Sequence, residues 1–404
     1  MSMARRILIV IGLWALLHLY VGQRLLAHAP LGPVERLLGW AAILLLALAP
    51  FGAFFAGRAE RVPAKPVLEW AGFTAMGLSS LLIVFVLAGD VLHVRAWVGA
   101  GLFSAGVVGG AVAVLVAGSW RARRPAVVRV EVPIQNLPAD LEGFRIVQLS
   151  DLHVGPTLKR DFVERVVTAT NGLQPDLIAL TGDVADGLPT VVRDEVAPLA
   201  RLVAPYGKFF VTGNHEYYWD PQGWVGEVER LGFSPLINAH RLVRRGGGRL
   251  LVAGVTDRSA SHRVRGHASD PVAALAGAPD SDVKLLLAHQ PKSAFAARAA
   301  GFDLQLSGHT HGGQYFPFNL LVRLFQPFVA GLHRLEGRSN SSGPENGKPR
   351  LEQSAEPGQS RLAEDKLERP EEMWLYVSRG TGYWGPPLRL GAPSEITLIQ
   401  LVKA

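Results

Sequence analysis

Four apolar runs, Ile7 to Leu26, Leu37 to Phe55, Ala71 to Leu92 and Ala96 to Ala117, fill the first third of this chain and limit what it can fold into. Each approaches the roughly 20 residues with which a helix crosses a bilayer. Soluble helices of that length normally carry a polar stripe at the helical period, and these runs mostly do not. Four transmembrane helices are therefore expected, with buried helices of a soluble domain as the alternative. Gly99, Gly101, Gly106, Gly109 and Gly110 suit close helix packing in lipid. The 49% hydrophobic content of the 404-residue chain agrees with a membrane part.

Orientation follows from the Lys and Arg residues near the spans. Arg5, Arg6, Arg58, Arg61, Lys65, Arg121, Arg123 and Arg124 fall on one side, and Arg24, Arg36 and Arg95 on the other. Eight against three places both the N-terminus and the C-terminal domain in the cytoplasm. The first run also resembles a signal peptide, with Ala27-His28-Ala29 as a cleavage site, but Pro30 argues against a cut there. Cleavage would leave the final side of the C-terminal domain unchanged. The net charge of +7 is explained by Arg residues flanking apolar runs, so nucleic acid is not an expected partner. Membrane lipid is expected, and protein partners are not legible.

The expected division is a transmembrane region over 1–120, a linker with a first strand over 121–142, and a catalytic domain over 143–404. Beyond Arg121-Ala-Arg-Arg124 short β-rich runs alternate with amphipathic stretches, the pattern of an α/β domain. Strands are expected at Val127 to Val132, Arg145 to Leu149, Leu177 to Leu180, Phe209 to Thr212, Leu250 to Ala253, Lys284 to Ala288, Leu304 to Ser307, Trp374 to Val377 and Ile396 to Leu401. Helices are expected at Arg160 to Asn171 and Pro291 to Ala300. The stretch 337–372, rich in Ser, Gly, Pro, Glu and Lys, reads as a disordered insertion.

Five times a metal-type side chain follows an apolar strand. Asp151 and His153 come after Leu149, Asp183 after Leu180, Asn214 and His215 after Thr212, His289 after Ala288, and His309 and His311 after Ser307. Strand ends of α/β sheets are where loops converge on ligands. Taken singly, Asp151 or Asp183 would be an ordinary turn or cap residue, and His240, His262, His267 and His333 read as surface or hydrogen-bonded histidines. The chain has no cysteine, so any metal must be held by O and N donors. Two Asp, one Asn and four His suit divalent ions such as Mn²⁺, Fe²⁺ or Zn²⁺, and exceed the positions one ion offers. Between two ions about 3.5–4 Å apart, a bound water is acidified enough to attack a phosphoryl group near neutral pH.

Asp151-x-His153, Gly182-Asp183, Gly213-Asn-His-Glu216, a strand-end His289 and Gly308-His-x-His311, in this order, resemble the calcineurin-like metallophosphoesterase superfamily over about residues 143–404. The resemblance implies a four-layer α/β/β/α sandwich of two mixed sheets. It also implies that Asp151, His153, Asp183 and His311 hold one metal, and Asp183, Asn214, His289 and His309 a second, with Asp183 as the bridge. His215 matches the residue that stabilises the transition state and protonates the leaving oxygen. Gly308-His-Thr-His-Gly-Gly-Gln314, Leu287-Ala-His-Gln-Pro291 and Tyr376-Val-Ser-Arg-Gly-Thr-Gly-Tyr-Trp-Gly-Pro-Pro387 resemble the bacterial membrane-associated branch that includes UDP-2,3-diacylglucosamine pyrophosphatases. Members of that branch often carry one membrane anchor or an export signal, whereas this chain has four apolar runs.

The expected function is metal-dependent hydrolysis of a phosphate ester or pyrophosphate, with a lipid-linked substrate. A phosphodiesterase or phosphatase of soluble nucleotides or phosphoproteins is the rival within enzymes, and a non-catalytic membrane sensor or scaffold the rival of another class. The segment after His311, from Tyr315 through Phe316, Phe318, Leu320, Leu321, Leu324 and Phe325 to Val329, is either core or an apolar surface at the site mouth.

Overall fold

A computed structural model of the chain describes residues 3–58, 65–336 and 372–404. Four long helices open it: α1 (Met3–Leu26), α2 (Pro33–Arg58), α3 (Lys65–Val91) and α4 (Val94–Ala122). All four are long and apolar enough to cross a membrane. Their outer faces leave Leu37 70%, Leu45 69% and Trp97 85% exposed, an arrangement that a bilayer accepts and water does not. Polar groups within the bundle pair with one another: Arg24 with Asp90, Tyr20 with Asp90, and His18 Nε2 with Ser79 Oγ at 3.0 Å. Of the glycines expected at helix contacts, Gly101 packs on Pro30 and Gly110 on Phe85, while Gly99, Gly106 and Gly109 face open space. Those three give room that no described helix uses.

The remaining chain runs β1 (Ala126–Ile134), β2 (Arg145–Leu149), α5 (Arg160–Gly172), β3 (Leu177–Leu180), α6 (Pro189–Val196), β4 (Lys208–Phe210), α7 (Asn214–Trp219), α8 (Pro221–Arg230), β5 (Ser234–Pro235), β6 (Ala239–Arg245) and β7 (Gly248–Gly254). It continues through α9 (Pro271–Leu275), β8 (Val283–Leu287), α10 (Ala294–Ala299), β9 (Leu304–Ser307), α11 (Phe318–Leu321), β10 (Gly331–Glu336), β11 (Glu372–Val377) and β12 (Glu395–Lys403). Two mixed six-stranded sheets result, in the orders β1-β12-β2-β3-β4-β5 and β10-β11-β9-β8-β7-β6. One apolar cluster, including Ile146, Leu177, Leu250, Leu285 and Leu304, lies between the sheets. A second joins the first sheet to α5, α6 and α8, and a third joins the other sheet to α9 and α10. This is the four-layer α/β/β/α sandwich. Central strands such as β3 and β9 are buried along their whole length because both faces are covered.

Three strands went unread. β6 (Ala-His-Arg-Leu-Val-Arg-Arg) and β10 (Gly-Leu-His-Arg-Leu-Glu) are the two edges of the second sheet, and β5 is a two-residue edge of the first. Edge strands carry charge that discourages pairing with other chains, and that charge masks the apolar signal. β4 is shorter than expected, ending at Phe210. The expected helix from Pro291 splits into a 3₁₀ turn at Pro291–Ser293 and α10. Residues 337–371 of the expected insertion lie outside the described residues, and Glu372 already belongs to β11.

The bundle and the α/β domain are joined by more than chain connectivity. α4 ends at Ala122, and β1 begins at Ala126 and pairs in parallel with the C-terminal strand β12 from Ala126↔Glu395 to Ile134↔Lys403. Leu388 and Tyr315 are buried in the same apolar cluster as Leu81, Val86, Val107 and Leu115 of the bundle. Ser119 Oγ donates to Pro387 O at 2.5 Å, and Ser394 Oγ to Ala122 O at 3.3 Å. Gly118 allows this approach: a Cβ there would stand 2.2 Å from Leu388 Cδ1.

Candidate metal centre

The loops after β2, β3 and β4 of one sheet and after β8 and β9 of the other meet at one end of the sandwich. All eight residues singled out in the sequence come together there. Asp151, His153 and His311 offer donor atoms within 4.8 Å of one another, as do Asp183, His289 and His309. Asn214 Oδ1 stands 2.9 Å from His309 Nδ1 and 3.2 Å from His289 Nε2. Asp183 Oδ2 reaches both groups, at 3.7 Å from His153 Nε2 and 3.2 Å from His289 Nε2. His215 Nε2 stands 3.9 Å from the same oxygen. His240, His267 and His333 lie elsewhere and bond to Ala274 O, Tyr217 Oη and Ala330 O.

The backbone is bent to aim these side chains. Asp151 (φ 53), His153 (φ 46), Asp183 (φ 55), His309 (φ 72) and His311 (φ 53) all have left-handed conformations. Each costs about 1–3 kcal/mol for a residue with a Cβ and persists only where its surroundings impose it. Here Asp151 N–H donates to Gly182 O at 3.0 Å, His153 N–H to Asp183 O at 3.1 Å, and Gly382 N–H to Asp151 O at 2.9 Å. The Glu216 carboxylate ties two loops together, accepting from Gly213 N at 2.6 Å, Val184 N at 2.8 Å and Asp183 N at 3.0 Å. Gly308 is required by proximity, since a Cβ would lie 2.0 Å from Ser150 Oγ and 2.2 Å from Asp151 Oδ2.

The electrostatics suit cations. His153 Nε2 and His311 Nε2 face each other at 3.1 Å, and a cation satisfies two such nitrogens better than one shared proton does. Burial and then the Arg389 guanidinium hold His311 well below its usual pKa, in the neutral form that ligates metal. Burial alone would raise the Asp183 carboxyl, but the His289 and His215 imidazoles outweigh it and hold Asp183 well below the ordinary value. Arg389 is itself buried and fixes the His311 loop, donating from Nη1 to His311 O at 2.8 Å with Nη2 3.1 Å from His311 Nδ1.

Asp186 was missed in the sequence. Its Oδ1 stands 2.5 Å from His215 Nδ1 and 3.1 Å from His153 Nδ1, so one carboxylate orients two imidazoles. Burial lowers the His215 pKa, but Asp183 and Asp186 carry it up to about 9. The only signal in the sequence was its place three residues beyond Asp183. Arg389 left no local signal. Gln314 clamps the segment around Trp384: it donates to Trp384 O at 2.9 Å and Pro386 O at 3.1 Å and accepts from Trp384 N at 3.0 Å. The Trp384 ring stands 5.9 Å from that of His215, and the Tyr218 ring 4.9 Å from it.

An Asp, His and Asn cluster on the strand ends of a two-sheet sandwich, docked on a membrane bundle, defines an integral membrane protein with a metal-binding α/β domain. Residues 144–313 match the calcineurin-like phosphoesterase family. A transmembrane protein with metallophosphoesterase domain from Danio rerio is 36% identical over 290 residues, which cover 70% of this chain and 59% of that one. An uncharacterized metallophosphoesterase from Campylobacter jejuni is 34% identical over 69% of this chain and 64% of its own. Another, from Aquifex aeolicus, is 30% identical over 68% of this chain and 92% of its own. The chain thus spans about three-fifths of the length of the first two relatives. It belongs to the calcineurin-like metallophosphoesterase family, and the family is that of metal-dependent phosphoester hydrolases.

Proposed function

We propose that the chain hydrolyses a phosphate ester or pyrophosphate bond in a lipid-linked substrate, at the cytoplasmic surface of the membrane that holds it. Asp151, His153, Asp183 and His311 would hold one divalent ion, and Asp183, Asn214, His289 and His309 a second. The reach of Asp183 Oδ2 to both groups supports the shared role. Mn²⁺ suits the mixed O and N donors, as do Fe²⁺ and Zn²⁺. When bound, such ions supply an acidified water and positive charge against the phosphoryl oxygens.

The protein's own groups do the rest. Asp186 holds His215 Nδ1, which leaves Nε2 facing the cluster to donate a proton to the leaving oxygen. Trp384 and Tyr218 stand beside that ring, at 5.9 and 4.9 Å between ring centres.

One observation supports the lipid assignment above all. Residues 380–390 reach from the metal cluster at Gly380 and Gly382 past Trp384, beside His215, to Leu388, which is buried among bundle residues. A substrate at that mouth is within a few side chains of the bilayer. The test is hydrolysis by Mn²⁺-loaded protein in detergent of a lipid-linked pyrophosphate, a nucleotide and an aryl phosphodiester. Preference for the lipid-linked compound in kcat/KM is expected, and equal or better turnover of the nucleotide would overturn the lipid assignment.

A further inference from the structure

The α/β domain reaches further along the membrane bundle than its chain connection to α4 requires. Three of its residues meet one face of α3 at successive turns. A Cβ on Gly385 would stand 3.9 Å from Phe73 Cδ1, a Cβ on Gly77 would stand 3.3 Å from Pro386 Cβ, and Tyr315 Oη lies 3.4 Å from Ser80 Oγ. Positions 73, 77 and 80 share a helix face by their spacing of four and three. α3 runs for 27 residues, Lys65–Val91. A span needs about 17–25 residues, and wherever even the shortest begins within α3 it takes in everything from about residue 75 to about residue 81. The contacts at Gly77 and Ser80 therefore lie at hydrocarbon depth, and Pro386 and Tyr315 lie there with them.

Tyr315 roots a segment whose own surface is apolar. Its ring stands 5.1 Å from that of Phe318, and Asn319 N–H donates to Tyr315 O at 3.1 Å. Phe316 N–H donates to Leu390 O at 3.2 Å, and Leu390 packs on the bundle cluster, so the turn that follows is tied to residues the bundle holds. Six of the ten residues 316–325 are large, apolar and exposed: Phe316, Phe318, Leu320, Leu321, Leu324 and Phe325, the last two at 74% and 72%. That matches Leu45 on the outer face of α2, at 69%. Water penalises a contiguous apolar surface of this kind, and acyl chains do not. Arg323 is the only charged side chain between His311 and His333, and its long stem lets the guanidinium reach phosphates while the stem stays among apolar groups.

We propose that residues 316–325 are immersed in the bilayer, inside the leaflet on the side of the α/β domain, with acyl chains packed against Phe318, Leu321, Leu324 and Phe325 and with Arg323 reaching the phosphates. The α/β domain is thereby sunk into the leaflet beside its own helices and is not held clear of the surface on a stalk. This immersion does not depend on which phosphoester is hydrolysed.

The chain has no cysteine, so a single introduced thiol reports its own position. Leu324→Cys and Phe325→Cys, with Leu45→Cys as a lipid-facing reference and Val203→Cys as a solvent reference, are spin-labelled in the full-length protein in phosphatidylcholine nanodiscs. Val203 precedes β4, at the end of that strand away from the metal cluster, and is 67% exposed. Power-saturation electron paramagnetic resonance then compares collisions with oxygen, which concentrates among acyl chains, and with a water-soluble nickel chelate. The oxygen-to-nickel ratio at Leu324 and Phe325 should fall within about twofold of that at Leu45 and at least about fivefold above that at Val203. All four side chains are exposed, so the label fits without repacking, and unchanged elution and circular dichroism report folding. A ratio at Leu324 and Phe325 equal to that at Val203 would overturn the proposal. Spin–spin broadening between labels at Phe325, with no rise in oxygen collisions, would overturn it too, because a second copy of the chain would then cover the surface.

Discussion

Asp186→Asn tests the catalytic geometry most sharply, because the substitution keeps volume and removes only charge. Its Oδ1 serves His215 Nδ1 at 2.5 Å and His153 Nδ1 at 3.1 Å. A hydrogen bond to a charged group contributes about 1.5–3 kcal/mol. At about 1.4 kcal/mol per tenfold, loss of the His215 contact should lower kcat roughly 10- to 150-fold. The His153 contact should appear separately, as weaker metal affinity, so kcat is compared at saturating Mn²⁺. Two phosphodiesters separate proton donation from other effects, one with a nitrophenol and one with an alkyl alcohol as leaving group. Only the alkoxide needs a proton as it departs, so its loss should be the larger. His215→Ala should lower kcat by about 10²–10⁴ with metal content retained. Adding Asp186→Asn to it should cost little more, since residues acting as a unit are not additive. Full additivity of the two losses, or an unchanged kcat on the alkyl ester, would refute the pairing as the source of catalysis.

Asp183→Asn should remove more bound metal than His311→Ala does, because its Oδ2 faces both donor groups; near-normal metal by elemental analysis would sink the shared role. Gly308→Ala should weaken metal binding and lower the melting temperature, since its Cβ would fall 2.0 Å from Ser150 Oγ, and an unaffected protein would show that the loops shift freely. A reporter active only in the periplasm, fused after Ala404, should stay inactive, and activity would reverse the cytoplasmic placement. Polar substitution of Phe318 and Phe325 together should cost activity on a long-chain phospholipid-like substrate far more than on a short phosphodiester, with circular dichroism unchanged. Equal losses on both would return the segment to a structural role.

The sequence leaves the segment after His311 open between core and surface, and the structure divides it. Tyr315 is buried against the bundle, while Phe316, Phe318, Leu320, Leu321, Leu324 and Phe325 are exposed. No pattern of period 2 or 3.6 sorts these residues, because Tyr315 is buried by the bundle, with its hydroxyl 3.4 Å from Ser80 Oγ, 235 residues away in the chain.

By itself, the sequence determined the membrane bundle and the metal-type cluster, because both are written locally. A span is a run of apolar side chains long enough for a bilayer, and each candidate ligand follows its own apolar strand within a few residues. Central strands were legible because burial on both faces makes them continuously apolar, while the charged edge strands β6 and β10 were not. Tertiary structure alone decided what acts on the cluster. Asp186 meets His215 across 29 residues and Arg389 meets His311 across 78, and neither pair has a period or spacing that a linear reading can detect. It also decided that the segments after His311 and Gly382 rest on the bundle, because that contact depends on how Tyr315 and Leu388 pack against helices hundreds of residues earlier in the chain.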